Sequence, residues 1–408
     1  MIPSLRASYN QHFTARLYQD FLNGMAAEAG EAPAFKVAET PVFIPAQLTA
    51  KLMQACEAII DVIVRPDFKT LTKDAIPAGM DVPNETAHPH FIVIDFAVCK
   101  DKVDVKEQDA DESDLLNPQL IELQGFPSLY TFQELMTRQF REHFNIPDTV
   151  NNYFNGLNDI TYLNLLQQVI TGPYKTEEVI LLEVKPHEQK TRIDFYYTEK
   201  KLGITPVCIT DLIQEGKQLF YVRDGVKTRI KRMYNRVIFD DLLRQKPTLG
   251  EHADLFQDLD VEWITHPNWF YRISKYTMPF IHNEFVPESW FLHQLPAIPS
   301  DLENYVLKPL FSFAGQGVVI DITPEDIDKI KDPENWILQR KVQYAPAIET
   351  PDGPAYCEIR MMYIWEDGAT RPLLVHNLAR LSKSKMIGVT KDKSHTWIGG
   401  SCAFFEGI

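Results

Sequence analysis

Two apolar strands in this chain carry oxygen-bearing side chains where hydrocarbon would be expected. Asp95 stands inside FIVIDFAV, and Glu122 inside QLIELQGFP. An acid in such a strand is costly to bury unless it meets a cation. Glu122 and Gln124 are two residues apart and so share one face of their strand. With Asp95 from a neighbouring strand they would form a hard-oxygen set suited to Mg²⁺ bridging nucleotide phosphates. The alternative is that Asp95 and Glu122 each pair with a basic side chain.

A second group of residues could handle phosphate. YVLKPLFSFAGQGVVI places Lys308 at the end of an apolar strand, ahead of a turn containing Gly315 and Gly317. Backbone N–H groups in such a turn can cover phosphate oxygens while the lysine supplies a cation. It is no Walker A loop, since no Gly-Lys-Ser/Thr opens a helix. An ordinary hairpin with one exposed lysine reads equally well. WILQRKV, with Gln339, Lys341 and Val342, becomes polar on alternate positions and would suit an adenine-binding hinge or a plain edge strand. In EIRMMYIW, Glu358 and Arg360 share a face. They line a cavity or form a surface ion pair. Between Arg380 and Gly399-Gly400 runs a basic segment with Lys383, Lys385, Lys391 and Lys393. It could gather a triphosphate or remain a solvated loop.

The elements that must position these residues follow from periodicity. Residues 1 to about 75 read as helical. The strands HFIVIDFAV and QLIELQGF follow, separated by the acidic KDKVDVKEQDADESD, expected to be a solvated hairpin loop. Helix returns over 151 to about 175. EEVILLEVK, TRIDFYYTEKKLG and ITPVCITDLI then read as strand, helix, strand, a βαβ unit with a parallel sheet. IKRMYNRVIF closes that region as a strand. Pro-punctuated helices come next, then YVLKPLF and VVIDI as strands, a helix at PEDIDKI, and WILQRKV, AYCEIRMMYIW and PLLVHNLARLS in antiparallel style.

At 408 residues the chain is long enough for two or three packed units. Its net charge of -15 repels phosphate backbones and anionic lipid, which argues against nucleic acid as the main partner. The apolar stretches are strand-sized, so no membrane span is expected. The cysteines Cys56, Cys99, Cys208, Cys357 and Cys402 are an odd, scattered set without CxxC, which reads as reduced and cytoplasmic. No GxGxxG follows EEVILLEVK, so a dinucleotide enzyme lacks support.

Taken together, the segments resemble the ATP-grasp superfamily in circularly permuted order, with closer similarity to eukaryotic-type glutathione synthetase and glutathionylspermidine synthetase. VIDF and IELQGFPSL, which look like the closing metal strands of the usual order, here precede YVLKP, EIR, NLARLSK and the Gly-Gly pair. HPNWFYRISKYTMPFI looks like the helix whose lysine meets nucleotide, and MYNRV like the closing Tyr-x-Arg segment of the substrate domain. Two departures stand out: Gln124 replaces an asparagine, and SFAGQG is poorer in glycine than the synthetases' loop.

The resemblance implies an α/β (α+β) ATP-grasp fold, circularly permuted, with an inserted βαβ substrate domain. Residues 1–150 would hold the N-terminal helices and the permuted metal strands, 151–245 the substrate domain, and 246–408 the ATP-binding part. It implies ATP- and Mg²⁺-dependent joining of a small acid to an amine through an acyl phosphate. Lys275 and Lys308 would meet ATP together with Gly315, Gly317, Gln339, Lys341 and Val342, while Asp95, Glu122 and Gln124 would hold Mg²⁺. Arg380, and less directly Arg360, would stabilise the transferring phosphoryl group. Arg236, Gly399 and Gly400 would face substrate. The competing expectation is a nucleotide-binding or scaffold protein that has lost catalysis.

Overall fold

The computed structural model describes residues 1–100, 116–311, 317–384 and 396–408. The acidic stretch at 101–115, Gly315, and Lys385, Lys391 and Lys393 lie outside the described residues. In chain order the strands are β1 (Val42–Ile44), β2 (Phe91–Lys100), β3 (Leu116–Gln124), β4 (Val150–Asn151), β5 (Val179–Glu183) and β6 (Thr205–Cys208). Then come β7 (Ile213–Glu215), β8 (Gln218–Arg223), β9 (Val226–Ile230), β10 (Arg232–Asn235), β11 (Glu262–Ile264) and β12 (Ser289–Phe291). The last six are β13 (Tyr305–Pro309), β14 (Trp336–Arg340), β15 (Tyr356–Ile364), β16 (Leu373–Ser382), β17 (Gly399–Ser401) and β18 (Ala403–Glu406).

The central sheet is antiparallel, in the order β17-β16-β15-β2-β3. Antiparallel sheets often leave one face wet, but β2 is buried along its whole length except Lys100, because both faces are covered. On one side Ile92, Ile94, Phe96, Ile359 and Met361 pack against the helix Ala46–Ile63. That helix presents Leu48, Leu52, Ala55, Ile59 and Ile63 as a single apolar stripe. On the other side Phe91, Val93, Met362 and Ile364 meet Tyr162 and Leu166 of the helix Asp159–Thr171, with Leu181 and Tyr234 from a second sheet. Each large side chain so buried contributes about 1.5–3 kcal/mol. It is this second face that, further along the strands, carries Asp95, Glu358 and Arg360.

The second sheet, β11-β10-β5-β6, is parallel throughout. The helix Arg192–Leu202 makes the crossover between β5 and β6, so the expected βαβ unit is present. Its outer strand β11 lies beyond residue 245, the expected limit of that unit. Between β6 and β10 runs an antiparallel meander, β7-β8-β9. A small sheet, β12-β14-β13, carries Lys308, and the sheet β1-β18-β4 joins early and late segments of the chain. No helix among the described residues is long and apolar enough to cross a membrane.

Candidate functional site: an ionic ladder beside two buried lysines

Register builds the site. Asp95 on β2 lies opposite Glu122 on β3 and Arg360 on β15, while Glu358 on β15 lies opposite Arg380 on β16, itself opposite Gly400. Directly opposed residues share a face, so four neighbouring strands bring acids and bases onto one surface, with Asp95 and Glu122 side by side on β2 and β3 and Arg360, Glu358 and Arg380 on β15 and β16. Arg360 donates Nε to Asp95 Oδ1 at 2.6 Å and Nη2 to Oδ2 at 2.7 Å. Arg380 Nη2 donates to the same Oδ2 at 2.7 Å and pairs with Glu358 Oε2 at 2.9 Å. Tyr344 donates its hydroxyl to Glu358 Oε1 at 2.6 Å. Burial pushes the Asp95 carboxyl up, but the Arg360 and Arg380 guanidiniums outweigh it and hold the group below the ordinary carboxylate range. The Glu358 carboxyl stays above that range, because its burial, with repulsion from Asp95 and Glu122, exceeds what Arg380 and Tyr344 return.

Beside this ladder stand two ammonium groups. Lys275 opens the short 3₁₀ helix Lys275–Phe280, whose entry is fixed by Ser274 Oγ accepting from the Tyr276 N–H. Its Nζ is 3.2 Å from Glu122 Oε1. Lys308, on β13, donates to the Ile121 carbonyl at 3.0 Å and to Gln339 Oε1 at 2.6 Å. Gln339 Nε2 in turn donates to Ser289 Oγ at 3.0 Å. Burial, with repulsion from Lys275, pushes the Lys308 ammonium down to about 8. Four cations, Lys275, Lys308, Arg360 and Arg380, therefore gather around three carboxyls, Asp95, Glu122 and Glu358.

The structure thus brings together Asp95, Glu122, Lys275, Lys308, Arg360 and Arg380, with Lys308 reaching β3 through the Ile121 carbonyl and β2 pairing beside β3. Gln124 shares the Glu122 strand, opposite Val93. Several other expected residues are engaged elsewhere. Gln339 sits in the middle strand of its sheet, paired on both sides, and it is its side chain that turns toward Lys308. Lys341 gives its backbone N–H to the Asn304 carbonyl and its Nζ to the Glu303 carbonyl. Neither offers a free hinge edge, and Val342 lies past the end of β14. Gly317, at φ 76°, lies under the Pro309 ring. VVIDI forms no strand; only Val319 bridges, to Leu307. A Cβ on Gly399 would come 2.4 Å from the Lys36 carbonyl oxygen, and Gly400 donates its N–H to that same oxygen. The pair therefore closes against another backbone segment. Lys383 pairs with Asp352.

Arg236 follows β10 at the carboxyl end of the parallel sheet, where open α/β sheets place ligands. Its guanidinium lies over the Phe126 and Phe195 rings, 5.0 and 5.5 Å from their centroids. Its Nε and Nη1 are buried without a hydrogen-bond partner. Two participants escaped sequence reasoning, Tyr344 and Ser289. Neither lies in a patterned charge pair, and only the register reveals them. An open cleft of about 670 Å³ lies between the meander and β11. Its cations are already paired, Lys217 with Asp258 and Arg229 with Asp260, and it contains none of the residues above.

No protein-family model matches the chain, and no curated protein does. Among solved structures it is similar to a glutathione synthetase-like effector from Globodera pallida, determined in its apo form. The two are 11% identical, the match covers 90% of this chain and 94% of that one, and the TM-score is 0.54. Such a likeness bears on architecture alone: the chain has a mixed α/β fold similar to that of a glutathione synthetase-like protein.

Proposed function

We propose that the chain is an ATP-dependent carboxylate–amine ligase on a circularly permuted ATP-grasp arrangement, with the nucleotide phosphates at Lys275 and Lys308. One observation carries this reading: two buried ammonium groups from separate elements converge, at mutual electrostatic cost, beside a strand bearing an acid. A polyphosphate relieves that repulsion. The glutathione synthetase-like fold of the solved neighbour is compatible with it.

In the proposed reaction the acid's carboxylate oxygen attacks the γ-phosphorus, forming an acyl phosphate and releasing ADP. The amine nitrogen then attacks the acyl carbon, expelling phosphate and losing a proton to leave an amide. In such chemistry the protein contributes position and charge. Lys275 and Lys308 hold the phosphates. Arg380, the more exposed guanidinium of the ladder, with its Nε unpartnered, turns toward the transferring phosphoryl group. Arg236 faces the substrate carboxylate with its unpartnered Nε and Nη1. The residues expected to hold Mg²⁺ do not fit as a set, because both Asp95 oxygens already accept from guanidiniums. Only Glu122 and Gln124 are left of the three, and no step is assigned to a metal.

The engagement of both Asp95 oxygens by guanidiniums also favours a second reading, a nucleotide-binding protein without turnover. Release of ADP and phosphate only when an acid and an amine are both supplied distinguishes the two. ATP should stabilise the fold by about 2.7 kcal/mol at a hundredfold excess over the dissociation constant, and so raise the melting temperature by mass action. Lys308→Ala should remove most of that gain. If millimolar ATP leaves the wild-type melting curve unmoved with and without a panel of acids, the proposal fails.

A further inference from the structure

The disagreement between the expected metal set and the observed pairing has a charge balance behind it. A carboxylate that receives a divalent ion must present free lone pairs, and Mg²⁺ demands near-octahedral oxygen geometry around it. Here Asp95 is buried and accepts three hydrogen bonds from two guanidiniums, occupying both its oxygens. Glu358 is engaged on both oxygens too, by Tyr344 and Arg380. Glu122 has one oxygen against the Lys275 ammonium. Among the described residues no group of three or more His, Cys, Asp or Glu side chains could hold a metal. With all three acids ionised, the four cations still leave the cluster one unit positive. Adding a divalent ion would bring two more positive charges into a poorly solvated place, against the sign of the existing excess.

An anion meets the opposite situation. Lys275 and Lys308 repel each other, the Lys308 ammonium is destabilised, and the Arg380 Nε has no partner. A phosphate chain would bring acceptor oxygens to these cations, and it need not take Asp95 from Arg360. We infer that this subsite binds polyphosphate without a protein-held metal, Arg360, Arg380, Lys275 and Lys308 serving as the fixed cations in place of a divalent ion. The inference rests on the reading of the lysine pair as a phosphate site, but its two halves are tested separately.

The first measurement is the electron paramagnetic resonance of Mn²⁺ titrated into the full chain without nucleotide. The expected result is a spectrum of free Mn²⁺ at all protein concentrations. A stoichiometric bound signal that Glu122→Gln removes overturns the inference, whatever the phosphate site does. The second is calorimetric titration of inorganic tripolyphosphate in EDTA and in Mg²⁺. Binding in EDTA, weakened about tenfold or more (about 1.4 kcal/mol) by Lys275→Ala or Lys308→Ala, supports it. Binding in Mg²⁺ alone overturns the inference and leaves the phosphate reading standing. Binding in neither condition removes the phosphate reading itself.

Discussion

Replacing Asp95 with Asn tests the ladder at its centre. The shapes are nearly the same, but the amide keeps only one acceptor oxygen and turns an NH₂ group toward guanidinium donors. Arg380 would keep Glu358 as a partner while Arg360 would lose its Asp95 carboxylate, in a place where Asp95 is 1% and Arg360 7% exposed. Breaking a buried ion pair by removing one member typically costs about 3–5 kcal/mol, because the surviving charge stays buried. Arg380 is partly solvated, which places the expected loss toward the lower end of that range. Urea unfolding in EDTA is the assay, and the midpoint should fall while its slope is unchanged. The pH dependence follows from the same contacts. The folded-state pKa of Asp95 is depressed below its unfolded value of about 3.9, so its stabilisation is complete above that pH. It disappears as pH falls through the folded value, and the gap between wild type and Asp95→Asn should narrow there. A free metal-ligand carboxylate would behave in the opposite way. Without metal, removing its charge relieves repulsion and leaves the chain equally or more stable. Such a result in EDTA would refute the ladder.

Two further predictions concern other parts of the molecule. Burial raises the Glu183 carboxyl to about 8, and Arg236 only partly offsets this. The folded chain thus keeps a proton that the unfolded chain loses near pH 4.3, and stability should decline between those values by up to about 1.4 kcal/mol per pH unit. Glu183→Gln should flatten that decline in a pH series of thermal melts; an unchanged slope would mean that Glu183 is solvated. Gly399→Ala should lower the melting temperature, since φ is 127° and the new Cβ would meet the Lys36 carbonyl oxygen. Strain of this kind costs of order 1–3 kcal/mol, and a variant as stable as wild type would show that the two segments are not in contact.

Much of the architecture is legible from periodicity, because continuous apolar runs such as FIVIDFAV and the stripe of the Ala46–Ile63 helix each admit few arrangements. Short elements are among those missed, and so is the 14-residue helix Tyr130–His143, between the strand QLIELQGF and residue 151. VFI at β1 has three residues, and the meander from β7 to β9 alternates buried with exposed positions too briefly to stand out from a loop. The site was half legible. All three acids, both lysines and both arginines of the cluster could be named from their strands and the resemblance. What they do to one another depends on register between segments some 265 residues apart, as for Arg360 and Asp95. Gln339 shows the same limit. Its polar alternation is plain, yet only its place in the middle of three strands turns the side chain, rather than the backbone, toward Lys308.

The parallel pairing of Val42–Ile44 with Ala403–Phe405 carries a consequence for biosynthesis. The partner of β1 emerges from the ribosome about 360 residues later, which at about 5–20 residues per second is a wait of roughly 20–70 s. Through that interval Val42 and Ile44, and Phe43 on the opposite side, lack Ala403, Phe404 and Phe405, the residues that complete their cores. The early helices can form, but their packing cannot finish until Ala403–Phe405 have been made. A nascent chain whose synthesis halts before Ala403 would hold an intermediate with Val42–Ile44 unpaired.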